Sequence, residues 1–132
     1  MQKILRKSDT LARMGGDEFV LLLNCVKELQ NVTAVAQKVQ LLMSSPFDLE
    51  GKRVQTSSSI GIAIFPQDGE DADTLMKNAD LAMYSAKEKE RNNYQFFSEE
   101  LNHKAKIRRD LEQSMSRAME QKEFFLVYQP QV

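Results

Sequence analysis

The sequence predicts a domain of the α/β class, more narrowly α+β, in which helices pack on an antiparallel sheet. One observation is a Gly-Gly turn between two apolar segments, which is typical of a β-hairpin. A second is the recurrence of apolar residues at helical spacing in two longer segments, and a third is the short β-rich runs between them. The predicted strands are residues 10–14, 18–23, 47–54, 55–65 and 94–97, and the predicted helices are residues 31–44 and 71–91.

Length and composition limit the possible functions. The chain has 132 residues, of which 42% are hydrophobic and 28% charged, enough for a single core. A net charge of -1 provides no overall field for nucleic acid or an anionic membrane, so any phosphate binding must be local. Cys25 is the one cysteine, which fits a reducing, cytoplasmic setting, and we expect it to be a small core or edge residue. No apolar run approaches the roughly twenty residues that span a bilayer, so we expect no membrane contact from this segment.

The first hairpin carries the residues most suited to chemistry. Thr10 to Met14 is predicted to pair with Glu18 to Leu23, and the apolar faces of the second strand predict that it is central and covered on both sides. Glycines at the turn let phosphate oxygens approach the backbone, and Asp17 and Glu18 directly after it can hold a hard cation such as Mg2+. The alternative is an ordinary hairpin turn with two solvated acids.

The later elements are predicted from the spacing of apolar residues and from the turn and capping residues between them. The helix of residues 31–44 ends at Ser45-Pro46, and the arm of residues 47–54 turns at Glu50-Gly51. The strand of residues 55–65 is expected to pair with that arm and to end at Pro66. Asp71 or Asp73 is expected to cap the next helix, whose apolar stripe indicates a core face. This stripe comprises Leu75, Met76, Ala79, Ala82, Met83 and Ala86.

From Ser98 the character of the chain changes. A thin apolar seam runs through an otherwise charged segment, which predicts a connector helix over residues 98–121. His103 lies among basic residues and is interpreted as a solvated surface residue. Residues 122–132 then form an apolar, β-rich tail.

Residues Gly15 to Phe19 spell out the signature of the GGDEF family, the diguanylate cyclases. Arg6-Lys7-Ser8-Asp9 resembles the family's RxxD inhibitory site, and residues 59–63 and 78–87 resemble its later strand and helix. The resemblance covers roughly residues 4–97. The tail resembles the opening strand of an EAL phosphodiesterase domain, so the predicted organisation is a partial GGDEF domain (1–97), a connector helix (98–121) and the start of an EAL domain (122–132).

The resemblance implies a ferredoxin-like, nucleotidyl-cyclase palm fold and the condensation of two GTP molecules into cyclic di-GMP across a homodimer. It implies no nucleic-acid partner. Asp17 would coordinate Mg2+ (or Mn2+), and Glu18 would be a second ligand or a base for the 3′-hydroxyl. The other implied site residues are Gly15 and Gly16 along the phosphates, Lys87 and Arg91 at the triphosphate, and Arg6 and Asp9, with Lys38, at the inhibitory product site.

The chain also departs from the family pattern. A complete GGDEF domain begins with a strand that supplies another metal aspartate, and we expect this chain to lack that strand. We therefore expect this chain alone to be a poor or inactive cyclase whose parent carries GGDEF and EAL domains. The alternative is a non-catalytic module that binds GTP or cyclic di-GMP. Residues 123–129 are expected to fill the vacant strand position, from the same chain or from a strand-swapped partner.

Overall fold

The computed structural model describes residues 4–89 and 92–129. The chain divides into two compact units, Met1–Phe97 and Ser98–Val132. In the first unit the elements are β1 (Thr10–Gly15), β2 (Glu18–Leu22), α1 (Leu29–Ser44), β3 (Phe47–Leu49), β4 (Lys52–Val54), β5 (Ile60–Ile62), α2 (Ala72–Lys89) and β6 (Tyr94–Phe96). The second unit contains α3 (Glu99–Glu120).

The strands β1 and β2 form the predicted antiparallel hairpin. Thr10 lies opposite Leu22 and Arg13 opposite Phe19, and the register shifts by one residue before Gly15 pairs with Glu18. The prediction that the second strand is central and covered on both faces is wrong for the described residues. There β2 pairs with β1 alone, and 57% of Leu22 is exposed. An apolar pattern shows what a strand is able to bury, but it does not supply the neighbours that cover it.

Helix α1 confirms the predicted amphipathic helix, beginning two residues earlier than expected. Val32, Ala36 and Val39 are spaced at helical intervals and are its buried residues. Ser45, before Pro46, adopts an extended conformation and ends the helix, as expected for a residue that precedes proline.

The arm after α1 is the predicted hairpin of β3 and β4. Glu50 and Gly51 both have positive φ angles at its tip, and the Gly51 backbone N–H donates to the Asp48 carboxylate over 2.9 Å. The strand predicted over residues 55–65 as the partner of this arm is much shorter. Only Ile60–Ile62 is a strand, and it pairs in parallel with β6 instead. The run of three serines before Ile60 offers few apolar contacts to hold a longer strand.

Helix α2 packs on β5 and β6. Ala82 and Ala86 are fully buried in this contact, whereas Met76, predicted to share the stripe, is 40% exposed. Gly61 marks the closest approach, since a Cβ added there would lie 1.9 Å from the carbonyl oxygen of Ala79. Of the two acids proposed as the cap, Asp71 is the one that accepts the backbone N–H of Thr74, at 2.8 Å.

The hydrophobic core of the first unit is formed by residues of α1 and β5. Val32 and Ala36 form a cluster with Ile62 of β5. The partly buried side chains against this cluster are Leu23, Ile60, Ile64, Tyr94 and Phe96. Residues from the ends of both the first hairpin and the β5–β6 pair therefore share one apolar cluster, although the two sheets are not hydrogen-bonded to each other in the described part of the chain.

The second unit is a single charged helix followed by a tail. Helix α3 confirms the predicted helix, and two exposed ion pairs four residues apart lie along it, Lys104 with Glu100 and Arg108 with Glu112. Its apolar seam is solvent-exposed, with Leu111 at 59%. None of the helices in the described part is long and apolar enough to cross a bilayer.

The tail differs from its prediction. Residues 123–129 form no strand, and the side chains from Phe124 to Tyr128 are 58% to 90% exposed. The expectation that this segment completes the sheet within its own chain is therefore wrong for these residues. A strand requires a neighbour for its backbone hydrogen bonds, which the apolar character of the tail alone cannot provide.

Candidate functional site

The turn between β1 and β2 is open on its outer side. Gly16 has a φ angle of +53°, a left-handed conformation that glycine adopts without steric cost. A Cβ built on either Gly15 or Gly16 would meet no heavy atom outside the neighbouring residues within 4 Å. The turn therefore leaves room for a ligand to lie against its backbone.

Arg13 holds this turn from within the hairpin. Its Nε and Nη2 atoms both donate to the carbonyl oxygen of Gly16, over 3.0 and 2.6 Å. The guanidinium group also lies 5.9 Å from the centre of the Phe19 ring, its partner across the hairpin. Sequence reasoning missed this role, although an arginine placed opposite an aromatic residue in a hairpin register was an available signal.

Asp17 and Glu18 are exposed at the turn, as predicted. Among the described residues, neither carboxylate takes part in an ion pair or a side-chain hydrogen bond. Adjacent carboxylates with free oxygens match the ligand preference of a hard divalent cation, which commonly uses one or two carboxylates together with water and phosphate. No group of three or more His, Cys, Asp or Glu residues suited to a metal occurs in the described part of the chain.

The segment from Arg6 to Asp9, which resembles the inhibitory site of the family, forms a hydrogen-bonded turn before β1. The Asp9 backbone N–H donates to the Arg6 carbonyl oxygen over 3.0 Å, and the Arg6 backbone N–H donates to Oδ2 of Asp9 over 2.9 Å. Asn24, which follows β2, contacts this turn twice. Its backbone N–H donates to Oδ1 of Asp9 over 3.3 Å, and its side-chain amide donates to the Ser8 carbonyl oxygen. Sequence reasoning did not identify Asn24.

Among the described residues, no hydrogen bond or ion pair links Lys87 or Lys38 to the turn. Lys87 is exposed in the last turn of α2, a helix that packs on β5 and β6, and Lys38 is exposed on α1. Arg91 lies outside the described residues. Cys25 is exposed with a φ angle of +53°, which excludes the core position and leaves the edge position of the two that were expected.

Comparison with known proteins identifies the class. The family described as "Diguanylate cyclase, GGDEF domain" matches residues 1–93 of this chain. The chain belongs to this GGDEF family.

Two curated relatives and one solved structure illustrate this similarity. The chain is 41% identical over 128 residues to "Bifunctional diguanylate cyclase/cyclic di-GMP phosphodiesterase MucR" of Pseudomonas aeruginosa, covering 97% of this chain and 18% of that protein. It is 34% identical over 130 residues to "Cyclic di-GMP phosphodiesterase NbdA" of the same organism, covering 98% of this chain and 16% of that protein. The chain therefore spans less than a fifth of the length of either relative.

One of the matching solved structures is the GGDEF domain of TpbB from Pseudomonas aeruginosa. The TM-score is 0.76 at 33% sequence identity, and the match covers 80% of this chain and 62% of that chain. This confirms the predicted α/β palm fold of the family. It leaves the individual site residues as predictions.

Proposed function

We propose that this chain is the GGDEF domain of a cyclic di-GMP signalling protein in which two GTP molecules are condensed to cyclic di-GMP. The observation that carries this proposal is the open turn of the intact family signature. Gly15 and Gly16 leave the backbone accessible, and the exposed carboxylates of Asp17 and Glu18 beside it have no ion pair within the part of the chain that the structure describes. Such a turn is able to receive a triphosphate and a cation together.

Each residue of the turn has a distinct role in this proposal. The backbone of Gly15 and Gly16 lies along the phosphates, Asp17 is a metal ligand, and Glu18 is a second ligand or the base for the 3′-hydroxyl. The hard oxygen donors suit Mg2+ or Mn2+, which would neutralise charge on the phosphates. Lys87, with Arg91, contacts the triphosphate. Positioning the 3′-hydroxyl of one GTP against the α-phosphate of the other requires two domains, so we propose a homodimer.

A non-catalytic module that binds GTP or cyclic di-GMP is the second candidate. It is supported by NbdA, a relative along 98% of this chain whose name mentions only a phosphodiesterase. In this reading the module binds cyclic di-GMP at Arg6 and Asp9, or GTP at the turn, without turnover. In the cyclase, Arg6 and Asp9, with Lys38, form the inhibitory product site.

The alignments also support a phosphodiesterase domain after this segment. MucR and NbdA both carry "phosphodiesterase" in their names, and both align along at least 97% of the chain, beyond the family match that ends at residue 93. We therefore assign α3 as a connector and residues 122–132 as the opening of an EAL domain. A GTP substrate and a single thiol support a cytoplasmic location for this domain.

The test is to incubate the intact protein with GTP and Mg2+ and to measure cyclic di-GMP. Asp17→Ala and Glu18→Ala should each abolish product while changing stability by no more than about 0.5 kcal/mol, because both side chains are exposed. Glu70→Ala, another exposed acid of the same unit, is the matched control and should retain activity. Loss of folding in the first two variants would show that the acids are structural. GTP binding without product in the wild-type protein would favour the binding module.

A further inference from the structure

The carboxylate of Asp9 is already engaged inside the protein. Its Oδ2 accepts the backbone N–H of Arg6, and its Oδ1 accepts the backbone N–H of Asn24. An ionised carboxylate has about four lone-pair positions, so two remain for a ligand. The two bonds fix the plane of the carboxylate and hence the directions in which those remaining positions point.

Asn24 makes the contacts with this turn that are distant in sequence. The contacts of Arg6 with Asp9 lie within one turn, whereas Asn24 reaches that turn from the far end of β2. Its side-chain amide donates to Ser8, the residue before Asp9, in addition to the backbone contact with Asp9 itself. Two adjacent residues of the turn are thus tied to the base of the hairpin by one asparagine.

We infer that Asn24 is a positioning residue of the Arg6–Asp9 turn, which holds the Asp9 carboxylate in the orientation that receives the guanine edge of cyclic di-GMP. This inference rests on the proposed function of that turn as the product site. Asparagine suits the position because its short side chain provides a donor for the Ser8 carbonyl while its own N–H stays free for Asp9. Asn24 is exposed, so this role does not require its side chain to be buried.

The test compares Asn24→Asp with the wild-type intact protein. Aspartate has nearly the same shape, but it replaces the donor that faces the Ser8 carbonyl oxygen with an acceptor. Cyclic di-GMP binding, measured by calorimetry, should weaken roughly tenfold, the effect of losing one well-formed hydrogen bond. Arg6→Ala serves as the reference for loss of the site. Asn31→Asp, at an exposed asparagine of α1, is the matched control and should bind as the wild-type protein does.

A second readout does not depend on the ligand. Amide hydrogen exchange at Arg6 and Asp9 should accelerate in Asn24→Asp and stay unchanged in Asn31→Asp, because both amides donate within the turn. The melting temperature should change little, since the contact lies at the surface.

The outcomes separate the two proposals. Tight binding by the wild-type protein that stays within about twofold in Asn24→Asp would overturn the role of Asn24 and leave the product site standing. Unchanged exchange at Arg6 and Asp9 would overturn it as well. Failure of the wild-type protein to bind cyclic di-GMP would instead refute the product site and, with it, this role for Asn24.

Discussion

Replacing Gly61 by alanine tests the packing that joins α2 to the sheet. A Cβ at this position would lie 1.9 Å from the Ala79 carbonyl oxygen and 2.4 Å from the Met83 nitrogen. These two atoms are positioned as the acceptor and donor of one turn of α2, so the added methyl group collides with helix backbone. Backbone cannot rotate away as a side chain does, and the helix would have to retreat by about 1.5 Å to reach an ordinary contact of 3.4 Å.

The expected cost follows from this collision. Overpacking in a well-packed region destabilises by about 1 to 3 kcal/mol, and a clash with backbone belongs at the upper end. For a unit of this size, about 3 kcal/mol lowers the melting temperature by roughly 12 to 24 °C. The measurement is thermal unfolding of the purified chain, followed by far-ultraviolet circular dichroism.

Gly51→Ala provides the matched control for that experiment. Gly51 has a φ angle of +81°, and among the described residues no heavy atom outside its chain neighbours lies within 4 Å of an added Cβ, so only backbone strain opposes alanine there. That strain is about 1 to 2 kcal/mol. If Gly61→Ala melted within about 3 °C of the wild-type chain, or no lower than Gly51→Ala, the close approach of α2 to β5 would be refuted.

Two further predictions concern the turn and the cap of α2. Arg13→Lys keeps the charge but loses the forked contact with Gly16, so cyclic di-GMP formation should fall by roughly 10- to 100-fold at an unchanged melting temperature, and full activity would contradict a role in shaping the turn. The backbone N–H of Thr74, and next its hydroxyl, lower the pKa of Asp71 below its ordinary value of 3.8. The stabilisation by Asp71 should therefore be complete above about pH 3.8 and disappear as the pH falls through the depressed pKa. Thermal melts of Asp71→Asn should lie below those of the wild-type chain at neutral pH and converge with them in acid; a constant difference at all pH values would contradict the carboxylate cap.

The elements that sequence predicted correctly are those fixed by neighbouring residues. The Gly-Gly turn, the spacing of Val32 and Ala36 in α1, and the Asp71 cap all depend on residues within one or two turns of each other. Local preferences of this kind are visible in the order of residues alone.

The errors share a different cause. The strand over residues 55–65 was assigned a partner in the β3–β4 arm, but Ile60–Ile62 pairs with β6, more than thirty residues away. The tail was predicted to be a strand because its residues suit one, yet residues 123–129 form none. Strand pairing depends on which distant segment is available, and composition does not specify that segment.

The site shows the same division. The signature correctly placed Asp17 and Glu18 at an exposed turn, because the turn and its acids are adjacent in sequence. The contacts of Arg13 and Asn24 were missed because they arise from the hairpin register and from a contact across the hairpin. The predicted pairing of the two strands did not specify the exact register, including its shift between Arg13 and Gly15.

The contacts between the first hairpin and the remainder of its unit determine how firmly the candidate site is positioned. Ladder hydrogen bonds and the Arg13 contact determine the shape of the turn within the hairpin. The hairpin shares the core beneath α1 through Leu23, whereas no hydrogen-bonded strand joins it to β5 in the described residues. The shape of the turn is thus strongly determined, while its position relative to α2 and Lys87 depends on few contacts. The proposed triphosphate, which contacts both the turn and Lys87, would connect the hairpin to α2. Its binding would stabilise the unit, and the stabilisation would increase with its affinity for that arrangement.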